Sequence, residues 1–318
     1  MTKILIILFV SVSTSLYCIS QDSTNRANDT TIIYKNQTFT LTDVVVRNNF
    51  NVPAFIEYVK NDTTFYKAFK NLRVMSFSSY NDIALKDKNG KTQASLVSQT
   101  RQTYANGCRT MEVKEEKATG DFYDSKGDYN YTTAQMYAGL FFTKGKVCGE
   151  TNIVKGVSFS GKGKSGMEKH KDQLKQLFFN PGKKIPGIPF IGNKVALFDE
   201  DVSKLYDFKI DKRDYMGRSC YVFTIKPRED LSSGDRSNIV IDEMTTWFNA
   251  RTLEIIGRNY SLSYKAGVYD FDVDMEVELE KIGDLLVPKV LRYRGEWDVV
   301  FKKKERAVFT ATLFDFKR

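Results

Sequence analysis

Histidine is all but missing from this chain: His170 is the only one in 318 residues. A zinc site built on two or three histidines is therefore excluded, and a triad with a histidine base would have to use this residue. Its setting, Glu168-Lys169-His170-Lys171, reads as the polar flank of a helix, where a solvated imidazole is the ordinary outcome. Cysteines number four, with none at the short spacing of a metal-binding pair. Gly161-Lys162-Gly163-Lys164-Ser165-Gly166 is a flexible basic loop, but the glycine that a phosphate cradle needs five residues before Gly163 is missing. No nucleophile motif appears either. The expectation is a protein that binds rather than catalyses, with no cofactor and no metal. A hydrolase working with carboxylates alone stays open, because acids are plentiful and their pairing in space is not visible in a sequence.

Long apolar runs are also lacking. The longest, Ile4 to Val10, follows Met1-Thr2-Lys3 and precedes a Ser/Thr run, which is the layout of a secretory signal and is too short to span a bilayer. Cleavage is expected after Ser20, leaving Gln21 as the mature terminus and lowering the formal charge from +9 to +8 with the loss of Lys3. The rival is lipidation at Cys18, although Leu16-Tyr17 before it lacks the small residue that processing wants. The expected location is periplasmic or secreted. The basic residues are dispersed apart from Lys302-Lys303-Lys304, so no nucleic-acid partner is expected, and nothing marks an integral membrane protein.

At 42% hydrophobic and 13% aromatic the chain can bury a core. The segment Tyr269 to Glu280 shows how. Every odd position from 269 to 279 is apolar and every even position from 270 to 280 is acidic, the period of two of a half-buried strand. Ile239 to Phe248 and Leu253 to Tyr264 read as two earlier strands around an Asn249-Ala250-Arg251-Thr252 turn. Residues 21–52 are expected to be a disordered lead-in followed by short strands at Thr31–Tyr34 and Thr38–Val46. Phe55, Tyr58, Val59, Phe65, Tyr66, Phe69 and Leu72 then recur at three- and four-residue steps after Pro53, an amphipathic helix with a break near Asn61. Asn89-Gly90 predicts a hairpin between Arg73–Leu85 and Gln93–Tyr104. Shorter polar segments are expected over Met111–Val113 and Phe122–Tyr131, and Gln135–Thr143 fits strand or helix equally. A helix is expected over Met167–Phe178, another turn of helix over Asp199–Lys204, and strands over Ser219–Lys226, Leu286–Arg294, Trp297–Phe301 and Ala307–Phe316.

Three constellations carry functional weight. The acids Asp270, Asp272, Asp274, Glu276, Glu278 and Glu280 are strung along a line, which suits cross-strand pairs with Arg292, Arg294, Lys304 and Arg306 better than a converging calcium site. Ile185-Pro186-Gly187-Ile188-Pro189-Phe190-Ile191-Gly192 is apolar yet too rich in Pro and Gly for a central strand, so it either plugs a core edge or forms a lid. Arg258 stands among apolar neighbours on its strand face. It reads either as a carboxylate-paired or sheet-edge residue, or as a polar contact at the mouth of an apolar cavity that holds a ligand headgroup. In an oxidising compartment Cys108 and Cys148, each beside a glycine in an expected turn, are a candidate disulfide, with Cys220 inside a strand.

Tyr221-Val222-Phe223-Thr224-Ile225-Lys226-Pro227, Asp242 to Trp247-Phe248-Asn249, Thr252-Leu253-Glu254-Ile255 and Leu286-Val287-Pro288 occur in an order similar to the outer-membrane lipoprotein carrier and sorting family. So does the helix at 53–72 followed by the 73–104 hairpin. The resemblance covers roughly residues 53–316, and residues 120–200 read as an insertion within a 53–318 domain. With Gln21 as its expected first residue, the chain also resembles exported proteins of Bacteroidetes. What the resemblance implies is a mainly β (α+β) fold, a strongly curved antiparallel sheet or half-open barrel with helices covering the concave face. It further implies a protein that binds acyl chains or senses the envelope. The lining would be Ile256, Arg258, Tyr260, Leu262, Tyr269, Phe271, Val273, Met275, Val277 and Leu279, with Ile185, Ile188, Phe190 and Ile191 as lid. The implied partner is a lipid or acyl chain, and the alternative is an envelope protein docking on a sheet whose core is already full. Intact mass of the exported protein should correspond to a chain that starts at Gln21, and a mass carrying a lipid on Cys18 would contradict that processing.

Overall fold

The computed structural model describes residues 29–47, 50–154, 177–185, 191–265, 267, 269–299 and 304–318. His170, the 161–166 loop, most of the expected 167–178 helix, the signal segment, and the lid residues Ile188 and Phe190 lie outside them.

Among the described residues, thirteen strands form one sheet in the order β1-β2-β7-β8-β9-β10-β11-β12-β13-β3-β4-β5-β6. The strands are β1 (Thr30–Tyr34), β2 (Gln37–Leu41), β3 (Ser76–Lys86), β4 (Thr92–Ala105), β5 (Cys108–Thr119), β6 (Val147–Cys148), β7 (Tyr206–Tyr215), β8 (Arg218–Pro227), β9 (Ile241–Asn249), β10 (Ile255–Lys265), β11 (Tyr269–Ile282), β12 (Leu285–Val299) and β13 (Glu305–Lys317). All neighbours run antiparallel except β2 and β7, which are parallel. The protein is mainly β, and its curved sheet is open, with β1 at one end and β6 at the other.

Residue-by-residue pairing aligns the inward side chains into rows that cross the whole sheet. One row runs Phe39, Phe208, Ile225, Met244, Tyr260, Met275, Tyr293, Phe309, Ile83 and Leu96, directly opposed from strand to strand. All ten are buried. The next row is Leu41, Ile210, Phe223, Thr246, Arg258, Val277, Leu291, Ala311, Asn81 and Ser98. It too is buried, although four of its members are polar.

The inner face is covered by helices. α1 (Asp43–Arg47) is a single short helix, followed by α2 (Val52–Asn61), α3 (Thr64–Asn71) and α4 (Thr132–Phe141). Asn51 caps α2 by accepting from the Ala54 amide, and Pro53 sits in its first turn, where its missing amide hydrogen costs nothing. The break falls at Asp62–Thr63, with the Asp62 carboxylate accepting from the Thr64 amide and hydroxyl. α4 is anchored from the sheet: the Glu305 carboxylate of β13 accepts from the amides of Thr132 and Thr133, so an acid sits at the helix's positive end.

Several expectations are corrected. Val44–Val46 is helical, because only Val45 is buried while Val44 and Val46 face out. Gln135–Thr143 resolves as helix over most of its length. The polar stretch after Gly107 is a twelve-residue strand, β5, turned back on β4 by Asn106 and Gly107, both at positive φ. Leu286–Phe301 is a single strand as far as the described residues go. Gly295, where a break was expected, lies beneath the Tyr293 ring, and a Cβ there would stand 2.0 Å from the Tyr293 hydroxyl. Residues 30–41 join the main sheet as β1 and β2.

Cys108 and Cys148 form a disulfide between β5 and β6 with their Cα atoms 4.0 Å apart. Beside it Arg109 pairs with Glu150 at 2.5 Å and donates to Thr143 and Gln102, tying residues 143–150 to the sheet. Replacing both cysteines with alanine should cost about 3–4 kcal/mol of unfolding free energy, judged from the entropy of closing a loop of this length. Denaturant unfolding of the two forms measures the difference.

Candidate functional site

Most of the candidate lining residues share one face, while Ile256 is buried at a β-bulge between Ile255 and Gly257, outside the main apolar cluster. Ile256, Tyr260, Leu262, Phe271, Val273, Met275, Val277 and Leu279 are all no more than 6% exposed. Tyr269 begins β11, but its side chain lies outside the described residues. Over this surface lie the aromatic residues of α2 and α3. The Phe55 ring is 5.1 Å from Phe248 and 5.9 Å from Phe223, Phe65 is 6.3 Å from Tyr260, and Phe69 is 4.7 Å from Phe179. Residues 177–179 complete the cover. Phe178 packs 5.0 Å from Trp297, and its carbonyl accepts the Tyr260 hydroxyl. The described ends of the expected lid, Ile185 and Ile191, are buried, and the Ile185 amide donates to the Gly192 carbonyl at 3.1 Å.

Arg258 is neither at an edge nor at a mouth. Its strand has five strands on one side and seven on the other, the residue is 7% exposed, and no carboxylate among the described residues lies within ion-pair distance. The Nε nitrogen donates to the Thr246 hydroxyl at 2.9 Å, and the guanidinium sits 4.3 Å from the centre of the Phe65 ring, beneath the first turn of α3. Burial pulls its pKa down, and the Asp62 carboxylate at the α2–α3 joint opposes that shift. No fully enclosed side-chain nitrogen or oxygen among the described residues lacks a partner. The two Nη nitrogens of Arg258 have no hydrogen-bond partner among the described residues. The neighbouring Tyr260 phenol is pushed far above its usual range by burial.

A second cation was not legible in the sequence. Lys183 follows the Asn180-Pro181-Gly182 turn and donates to the carbonyl of Lys60 at the end of α2. Burial lowers its pKa to about 8, Asp62 works against the shift, and Arg258 and Lys60 add to it. Composition gave no hint, because a lysine next to a Pro/Gly-rich loop is normally solvated.

The acids of β11 face outward. Asp274 pairs with Arg294, Glu278 with Arg292 at 2.8 Å, and Glu296 with Lys304 and Arg306, so the line of carboxylates is neutralised across strands. Two clefts lie outside the helix-covered face. One, of about 360 Å³, lies between the β1–β2 turn and α2. The other, of about 1100 Å³, opens on the outer face over Thr224, Thr245 and Asn259. Among the described residues no helix is long and apolar enough to cross a membrane.

The fold and this site define a class, an open single-sheet protein with a helix-covered apolar face and a buried cation at the helix joint. No protein-family model matches the chain, and no curated protein does. Among solved structures it is similar to a DUF1329 family protein from Desulfovibrio piger, at 12% identity over 80% of this chain and 93% of that one, with a TM-score of 0.23. It is also similar to lipovitellin, in a structure of its lipid–protein interactions, at 7% identity over 77% of this chain and 25% of that one, with a TM-score of 0.21. At such TM-scores the likeness decides neither fold nor function.

Replacing a buried charge that has no ion partner by an apolar side chain of similar length is expected to be neutral or stabilising, by up to about 3 kcal/mol. Arg258→Met should therefore keep or raise the melting temperature. A fall of several degrees in calorimetry would assign the guanidinium a structural role instead.

Proposed function

We propose that this is an exported, non-enzymatic binding protein, periplasmic or secreted, that holds an apolar ligand, a lipid or acyl chain, between the inner face of its sheet and the α2–α3 cover. The observation that carries this reading is Arg258. A guanidinium placed mid-sheet, under a helix, with a threonine hydroxyl as its one hydrogen-bond partner among the described residues, costs several kcal/mol of desolvation. A core that served only for packing would be better off with an apolar residue there. As a polar contact for a ligand headgroup, the same residue has a use. The ligand tail would lie on the row through Tyr260 and Met275 and on Leu262, Phe271 and Val273, gaining ~25 cal/mol per Å² of apolar surface buried. Entry requires α2 and α3 to move off the sheet. Each is short, and their joint at Asp62–Thr63 is a natural hinge.

A second reading rests on the same packing. Phe55, Phe65 and Phe69 already fill the inner face among the described residues, which suits an envelope interaction or sensor protein whose outer surface meets a protein partner.

Native mass spectrometry of the mature protein purified from its own envelope, with and without lipid extraction, separates the two. A co-purifying acyl lipid that disappears on extraction is the expected result, with Phe271→Asp, provided its circular dichroism shows it folded, losing the adduct. A clean apo mass together with no uptake of added fatty acid would favour the filled core.

A further inference from the structure

We infer that the ligand of this inner site carries an anionic headgroup, a carboxylate or phosphate on an acyl or alkyl chain, held jointly by Arg258 and Lys183. The inference rests on the binding reading above and names the chemistry that the site selects.

The charge balance at the α2–α3 joint points to it. Two cations flank that joint: Lys183 from the 180–185 turn donates to the Lys60 carbonyl at the end of α2, Arg258 from β10 lies against Phe65 at the start of α3, and the Asp62 charge between them favours the charged form of both. That carboxylate is already engaged by the amide and hydroxyl of Thr64 and lies within ion-pair distance of neither cation. Lys60 adds a third positive charge at the end of α2. The joint is therefore positive, and an arginine more than nine-tenths buried faces it with Nη nitrogens that have no protein partner among the described residues. A planar fork of donors with one edge free is the arrangement that grips carboxylate or phosphate oxygens in pairs. An uncharged alcohol or ester would leave the positive excess uncompensated.

Protonation follows from the same geometry. Lys183 loses its proton near pH 8 without a ligand. A bound anion favours the ammonium form and raises that pKa, so binding takes up a proton around pH 8, and affinity is highest below it and falls as pH rises through and above it. The charged groups that face Lys183 are Asp62, Arg258 and Lys60.

The test compares three probes with one sixteen-carbon tail, hexadecanoic acid, hexadecyl phosphate and hexadecanol, titrated calorimetrically into the delipidated mature protein at pH 7 and pH 9.5. At least tenfold tighter binding of one or both acids than of the alcohol is expected at pH 7. The ratio between acid and alcohol should shrink at pH 9.5, and in Lys183→Gln it should already be small at pH 7 and insensitive to pH. Which of the two acids binds more tightly distinguishes a fatty acid from a phospholipid headgroup as the source. Equal affinity for acid and alcohol overturns the anionic headgroup, and a Lys183→Gln protein with unchanged preference overturns the joint hold by Arg258 and Lys183; both leave the binding reading intact. No uptake of any of the three overturns both.

Discussion

One apolar face has to be covered. Thirteen strands in a single sheet present two continuous inward rows, and with no second sheet among the described residues to pack on, the stability of the whole depends on what lies over them. The cover is assembled from separate short pieces: α2 and α3 over β8–β12, residues 177–179 over Tyr260 and Trp297, and α4 over β13, where Tyr137 packs on Phe309 at 4.8 Å. Each piece is attached differently. α4 is fixed by the Glu305 cap and by the Tyr137 hydroxyl donating to Asn81 at 2.6 Å, and the segment after it by the disulfide and the Arg109–Glu150 pair. α2 and α3 are held by aromatic contacts along their length and by polar contacts toward their ends, Tyr58 to the Leu253 carbonyl, Glu57 to Lys35, and Asn71 to the Leu286 carbonyl and the Asn152 side-chain amide. Apolar contact is non-directional and can be exchanged for contact with a ligand chain. Hydrogen-bonded anchors cannot be exchanged so readily.

Arg258 sits under the exchangeable part. In the same row, Asn81 and Ser98 are polar too, but they bond to each other and to Tyr137 and are structurally satisfied. The contrast within a single row separates polar groups that specify the fold from one that the fold leaves with donors free.

The sequence made much of this readable. The strict alternation from Tyr269 to Glu280 located β11 and its inward set, the aromatic spacing after Pro53 located α2 and α3 together with their break, and Asn89-Gly90 located the first hairpin. Each is a local rule of period or turn chemistry. What stayed hidden was set by tertiary contact. Three consecutive valines at 44–46 carry strand propensity, yet the one that is buried, Val45, is reached by a helical turn. Gly295 resembles a break but is a close approach beneath an aromatic ring. The Arg258 environment needed the strand order, because an edge, a mouth and a mid-sheet position look alike in one dimension. Lys183 needed the fold as well, since it lies 75 residues before Arg258 in the chain.

α2 and α3 are expected to behave as a separable cover over a complete sheet. Native-state hydrogen exchange, resolved by residue, tests this most directly. Amides of residues 55–71 should exchange at least about 100-fold faster than the interior amides of β9 to β12, through an opening that leaves those strands protected. Equal protection in the helices and strands, at the level of global unfolding, would contradict a cover that lifts and leave a core that opens only when the protein unfolds.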